Sequence, residues 1–124
     1  MTTTSAAADL AHRPGGALPI YTLDHVPGMR VTRTIGLVRG NTIRSRAIGH
    51  DIMAALKMLV GGEISEYTKM MAEAREQALD RMRAEALERG ATAIVGVRFT
   101  TSMVMQGSAE ILAFGTAVVL EAEV

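Results

Sequence analysis

The chain has 124 residues, 48% of them hydrophobic, with 13 basic residues balancing 13 acidic ones and no cysteine. That length sets one domain with a modest core. Zero net charge leaves no global field to draw in nucleic acid or an anionic membrane, and the lack of thiols excludes disulfides, thiolate nucleophiles and thiolate metal sites.

With two Phe, two Tyr, no Trp and nine Met, the core has to be built from Ile, Val, Leu, Ala and adaptable methionine. No apolar run approaches the roughly 20 residues needed to cross a bilayer, and the N-terminus has no hydrophobic signal segment, so a soluble cytoplasmic protein is expected. Residues 1–17 are Thr, Ser, Ala, Gly and Pro with scattered charges and end in the breaker cluster Arg13-Pro14-Gly15-Gly16. They read as a disordered lead-in to a domain spanning 18–124. Leu18–Leu23 is a short strand candidate, and Pro27-Gly28 suits the turn after it. Met29–Val38 alternates, with Val31, Arg33, Ile35 and Leu37 on one side and Thr32, Thr34, Gly36 and Val38 on the other. Arg39-Gly40-Asn41 reads as the exit of that strand, followed by a polar connection to Arg46.

Ala47–Val60 has Ile48, Ile52, Ala55, Leu56 and Leu59 on one side and predicts a short helix stopped by Gly61-Gly62; a continuous, kinked helix is the rival reading. The dominant element is Ser65–Arg89, a helix of about 38 Å at 1.5 Å per residue. Tyr67, Met70, Met71, Ala74, Ala78 and Met82 form its apolar face against a charged remainder. Ser65 is placed as N-cap and Gly90 as the C′ residue. Ala93–Met105 alternates throughout, with Ala93, Val95, Val97, Phe99, Thr101, Met103 and Met105 assigned to one face. Gln106-Gly107-Ser108-Ala109 forms a hairpin connection to a last strand, Glu110–Glu121.

That last strand carries two apolar faces: Ile111, Ala113, Ala117 and Val119 on one, and Leu112, Phe114, Val118 and Leu120 on the other. One helical layer covers one side of a sheet, so the second side has to meet another copy of the chain or something else apolar. The expected architecture is therefore a two-layer α+β fold, an antiparallel or mixed sheet carrying one long and one short helix. A ring of identical subunits is the economical way to bury the remaining face; helices straddling the sheet would be the monomeric solution.

Candidate chemistry is sparse. There is no G-x-S-x-G elbow, no phosphate-binding glycine loop and no carboxylate pair apart from the charged helix, so catalysis is not indicated. His12, His25 and His50 are not paired at metal-ligand spacing. His50 adjoins Asp51, and Met103 and Met105 offer a soft thioether pair suited to Cu(I). In a symmetric ring, one such residue per chain can converge on the axis. Arg30, Arg33, Arg39, Arg44 and Arg46 form a locally basic segment without the interleaved aromatics of a single-strand platform.

The stretch Tyr67–Glu85 (YTKMMAEAREQALDRMRAE), followed by Arg89–Phe99 (RGATAIVGVRF) and Phe114–Val118 (FGTAV), resembles the YbjQ family. The Pro-Gly turn, the glycines at Gly36 and Gly40, and Gly-Gly before the long helix also fit, and the resemblance runs from about Ile20 to Glu121. It implies a dodecin-like β-α-β-β subunit assembled as a homopentamer, with the family label "putative heavy-metal-binding". The expected function is that of a non-enzymatic oligomeric small-ligand-binding protein taking transition-metal ions at subunit contacts. The candidate donors are His25, His50, Asp51, Met103 and Met105, and the expected partner is the chain itself, with neither nucleic acid nor membrane. The alternative is a structural or scaffold homo-oligomer that recruits a protein partner.

Overall fold

Every backbone group of a sheet has to find a partner and every apolar face a cover, and both demands shape this chain around one helix. The computed structural model describes residues 18–45, 64–105 and 108–124. Its elements are β1 (Met29–Ser45), α1 (Ile64–Glu88), β2 (Ala93–Met105) and β3 (Ser108–Ala122). The strands form an antiparallel sheet in the order β1-β3-β2, and α1 packs on one face, chiefly over β1 and β3. The expected lead-in of residues 1–17 and the expected helix Ala47–Val60, with His50 and Asp51, lie outside the described residues.

The seat of the helix explains the largest departure from the expected strand boundaries. Gly40 does not end β1, which continues to Ser45. It lies where α1 crosses the strand: a Cβ there would sit 2.8 Å from Arg81 Cβ and closer still to Ala78 O and Met82 N. Only glycine lets the two backbones approach this closely. A glycine flanked by polar residues carries the same sequence signal whether it marks a turn or a crossing. Val38 and Thr42 flank the crossing on the helix side; both are buried, and the Thr42 hydroxyl donates to Ala74 O at 3.2 Å.

Above that seat lie Ala74, Ala78, Met82 and Ala86, all fully buried, with Met71 and Leu79 partly so. Small residues at i, i+4 and i+12 keep the helix low on the sheet, and Met82 at i+8 fills the remaining gap. The expected apolar face therefore holds at Met71, Ala74, Ala78 and Met82 and extends through Ala86. Ser65 falls inside the helix rather than before it, because α1 starts at Ile64. The C-terminus follows expectation. Gly90 takes φ of 86°, its N–H donates to Leu87 O at 3.1 Å, and Ala91 N–H donates to Ala86 O at 3.0 Å. This is a Schellman cap, with Ala91 and Ala86 buried as its apolar contact.

Bulges redistribute the alternating faces. In β1 the register shifts between Val31 and Arg33 and again between Thr34 and Gly36. The expected set Val31, Arg33, Ile35 and Leu37 is therefore split, Ile35 joining the core under the helix while Val31 and Leu37 remain exposed. In β2 a shift between Val95 and Arg98 moves Val97 onto the side of Ile94. Ala93 and Val95 stay on the far side with Val118. A bulge adds one residue without altering the apolar count, so period-two reading passes over it.

Leu18–Leu23 forms a single parallel bridge, Ile20 to Ile94, rather than a regular strand. It is held by backbone bonds from Tyr21 N to Ile94 O and from Ile94 N to Pro19 O, and by Arg83 Nε donating to Leu18 O at 3.1 Å. Met29 N–H donates to Val26 O, closing the expected turn at Pro27-Gly28. The hairpin is tighter than expected: Ser108 already pairs with Met105.

Candidate functional site

The second face of the sheet is the feature that the described residues leave incomplete. Along β1 it presents Val31, Leu37, Arg39, Asn41 and Ile43, directly opposite the β3 residues Leu120, Thr116, Phe114, Leu112 and Glu110. One corner is covered: Tyr21 and Val26 pack with Leu120 against Ala93, Val95 and Val118. The rest is bare. Val31 is 44% exposed, Leu37 55% and Ile43 56%. Completing the burial of three such side chains is worth about 1 kcal/mol each, since full burial of a Val, Leu or Ile is worth about 1.5–3 kcal/mol. Polar side chains interrupt this face at Arg39, Asn41, Arg98, Glu110 and Thr116. Asn41 Nδ2 donates to Glu110 Oε2 at 2.9 Å, and the Arg98 guanidinium donates to Thr22 O at 2.9 Å.

The expected metal donors are dispersed. His25 is exposed in the loop before Pro27. Met103 and Met105 are 74% and 66% exposed. A register shift between them sets Met103 opposite Ala109 and Met105 opposite Ser108, so the strict alternation that would put both thioethers on one face is broken there. Among the described residues, no three His, Asp or Glu side chains come together as a metal site. With no thiolate in the whole chain, the described donors of one subunit do not fit a soft-metal centre on their own.

The polar flank of α1, read from the sequence only as the remainder beside the apolar face, places four residues along the outer edge of β1. Arg89 donates to Leu37 O at 2.7 Å and to Ile35 O at 3.2 Å. Glu85 accepts from Arg39 N at 2.7 Å. Arg81 donates to Asn41 O at 2.6 Å, and Gln77 accepts from Arg44 at 3.1 Å. Four helical residues rise about 6 Å and two strand residues about 6.7 Å, so a stripe at i, i+4, i+8 and i+12 stays in step with alternate strand residues. The clue was present in the spacing of Gln77, Arg81, Glu85 and Arg89 beside the apolar stripe. Arg44, Gln77 and Arg81 also line a shallow groove with Lys69 and Glu73, where these three are engaged with strand and helix rather than converging on a ligand. No helix among the described residues is long and apolar enough to cross a membrane.

Fold and surface together define a small two-layer α+β protein with exposed apolar side chains on one sheet face and no metal-holding group of three His, Asp or Glu among its described residues. The chain belongs to the YbjQ family: the model of that family, described as "Putative heavy-metal-binding", matches residues 18–121. It is 58% identical to a UPF0145 protein of Methanococcus maripaludis, over 82% of this chain and 91% of that one. A UPF0145 protein of Thermus thermophilus is 55% identical over 82% of this chain and 90% of its own length. A crystal structure of a Pediococcus pentosaceus protein of unknown function, assigned to the DUF74 family, superposes with a TM-score of 0.55 at 14% identity. That match covers 82% of this chain and 96% of that one, and its likeness is one of fold.

Proposed function

We propose that the protein is a non-enzymatic cytoplasmic homo-oligomer that binds small ligands, metal ions among them, at contacts between subunits. The observation that carries this reading is the bare apolar face bearing Val31, Leu37 and Ile43, which further copies of the chain would cover. The family resemblance favours a dodecin-like ring of five. Because the described donors of one subunit do not gather, a metal site in this reading draws the same donor from several copies around an axis. His25, His50, Asp51, Met103 and Met105 are the candidates. The test is a transition-metal titration by calorimetry on the intact oligomer, comparing wild type with the double variant His25→Ala, His50→Ala. Loss of heat in the variant supports the reading, and equal heats remove the histidines from it.

A second reading is a scaffold that recruits a protein partner through the assembled surface. The scatter of His25, Met103 and Met105 favours it. Metal-free protein by elemental analysis, together with a reproducible partner, would select it.

A further inference from the structure

The two edges of the sheet are treated differently, and the difference points to a surface separate from the open face. On β1 four outward groups, the carbonyls of Ile35, Leu37 and Asn41 and the N–H of Arg39, are taken by Arg89, Arg81 and Glu85. On β2 the segment Pro19–Leu23 takes the outward groups at Ile94, Gly96 and Val97, and no farther. Beyond it runs Phe99-Thr100-Thr101-Ser102-Met103, every residue exposed. Val97 donates outward to Tyr21 O. Strand alternation then turns the N–H and C=O of Phe99, Thr101 and Met103 outward, while Arg98, Thr100 and Ser102 face β3. From Phe99 to Ala109 there is no charged residue and no proline, the usual devices that keep an edge from pairing.

We propose that this edge pairs antiparallel with the same edge of a second copy, with Thr101 on the two-fold axis. The register is self-complementary. Phe99 of one copy lies opposite Met103 of the other, a thioether beside an aromatic ring, both on the side of the sheet that carries α1, since their partners in β3 are Ala113 and Ala109. Thr100 meets Ser102 on the opposite side, and Thr101 meets itself. The outward groups of Phe99, Thr101 and Met103 all find partners in that pairing. Because α1 lies over β1 and β3, the two helices stand clear of each other. An isologous contact of this kind does not depend on what covers the open face; in a ring of subunits it would join two rings back to back.

Cysteine scanning tests the pairing, because the chain has no cysteine of its own. Thr101→Cys, treated with diamide, should form a covalent dimer at least tenfold faster than Glu88→Cys on the exposed helix. Thr101→Pro should leave far-UV circular dichroism unchanged, since that N–H faces away from β3. It removes one intermolecular N–H···O bond from each copy, so self-association through the edge should weaken about thirty-fold by light scattering. Cross-linking of Thr101→Cys no faster than Glu88→Cys would overturn the proposal. So would a cross-link to Thr32→Cys in preference to itself, which would mean head-to-tail pairing with β1. Leu37→Asp separates the two surfaces: it should abolish assembly through the open face while leaving the Thr101→Cys cross-link intact.

Discussion

Replacing Gly40 by alanine puts the seat of the helix to a direct test. The added methyl group would fall within 2.8 Å of Arg81 Cβ and nearer than that to Ala78 O and Met82 N. Two of those three neighbours are helix backbone, so no rotamer change relieves the clash and α1 has to lift by about 1 Å, toward ordinary contact distance. Lifting it thins the packing of Ala74, Ala78, Met82 and Ala86, the fully buried stripe. Overpacking alone costs about 1–3 kcal/mol, and the unyielding backbone places this site at the upper end, about 3 kcal/mol. For a domain of this size that is a fall in Tm of about 12–24 °C. Thermal denaturation followed at 222 nm reads it, with Thr34→Ala, exposed on the same strand, as a control expected within about 0.5 kcal/mol of wild type. A Gly40→Ala protein melting within about 4 °C of wild type would refute the close crossing and restore Gly40 to a turn.

Arg89→Ala removes two bonds to strand carbonyls, from Ile35 and Leu37, and should cost about 1–2 kcal/mol in urea denaturation. Solvent exposure of these bonds limits the effect, and a variant as stable as wild type would count against the edge clamp. Thr42→Val keeps the shape and removes the hydroxyl bonded to Ala74 O. The expected loss is about 0.5–1.5 kcal/mol in the same assay, and a gain in stability would show that the hydroxyl is dispensable. Leu37→Asp places a charge on the open face at a residue 55% exposed in the single subunit. Its fold should survive by circular dichroism while its mass in solution drops to that of smaller species; an unchanged mass would free that face from assembly.

How much of this was legible in the sequence depends on whether a residue's signal is local. The long helix and its Gly90 cap were readable because periodicity and punctuation are properties of neighbouring residues, and β2 was placed from Ala93 to Met105 for the same reason. The doubly apolar character of the last strand was also readable, and with it the uncovered face. Gly40 was misread because a close crossing depends on a helix that arrives more than thirty residues later. The bulges in β1 and β2 were missed because an inserted residue leaves composition untouched while exchanging faces downstream. The stripe Gln77, Arg81, Glu85 and Arg89 was not separated from the rest of the polar remainder, since nothing in a helix says which of its polar residues will find a strand edge. The donors fared differently again. Met103 and Met105 satisfied a spacing rule that holds only while the strand stays regular, and the register shift between them breaks it.

The claim on which the rest depends is that one chain leaves Val31, Leu37 and Ile43 for another copy to cover. Multi-angle light scattering at micromolar concentration, down to about 1 µM, measures this directly. The expected mass is a multiple of the 13.2 kDa chain, five-fold for the ring or ten-fold where β2 edges join two rings. A folded, unaggregated particle of 13.2 kDa across that range would contradict it.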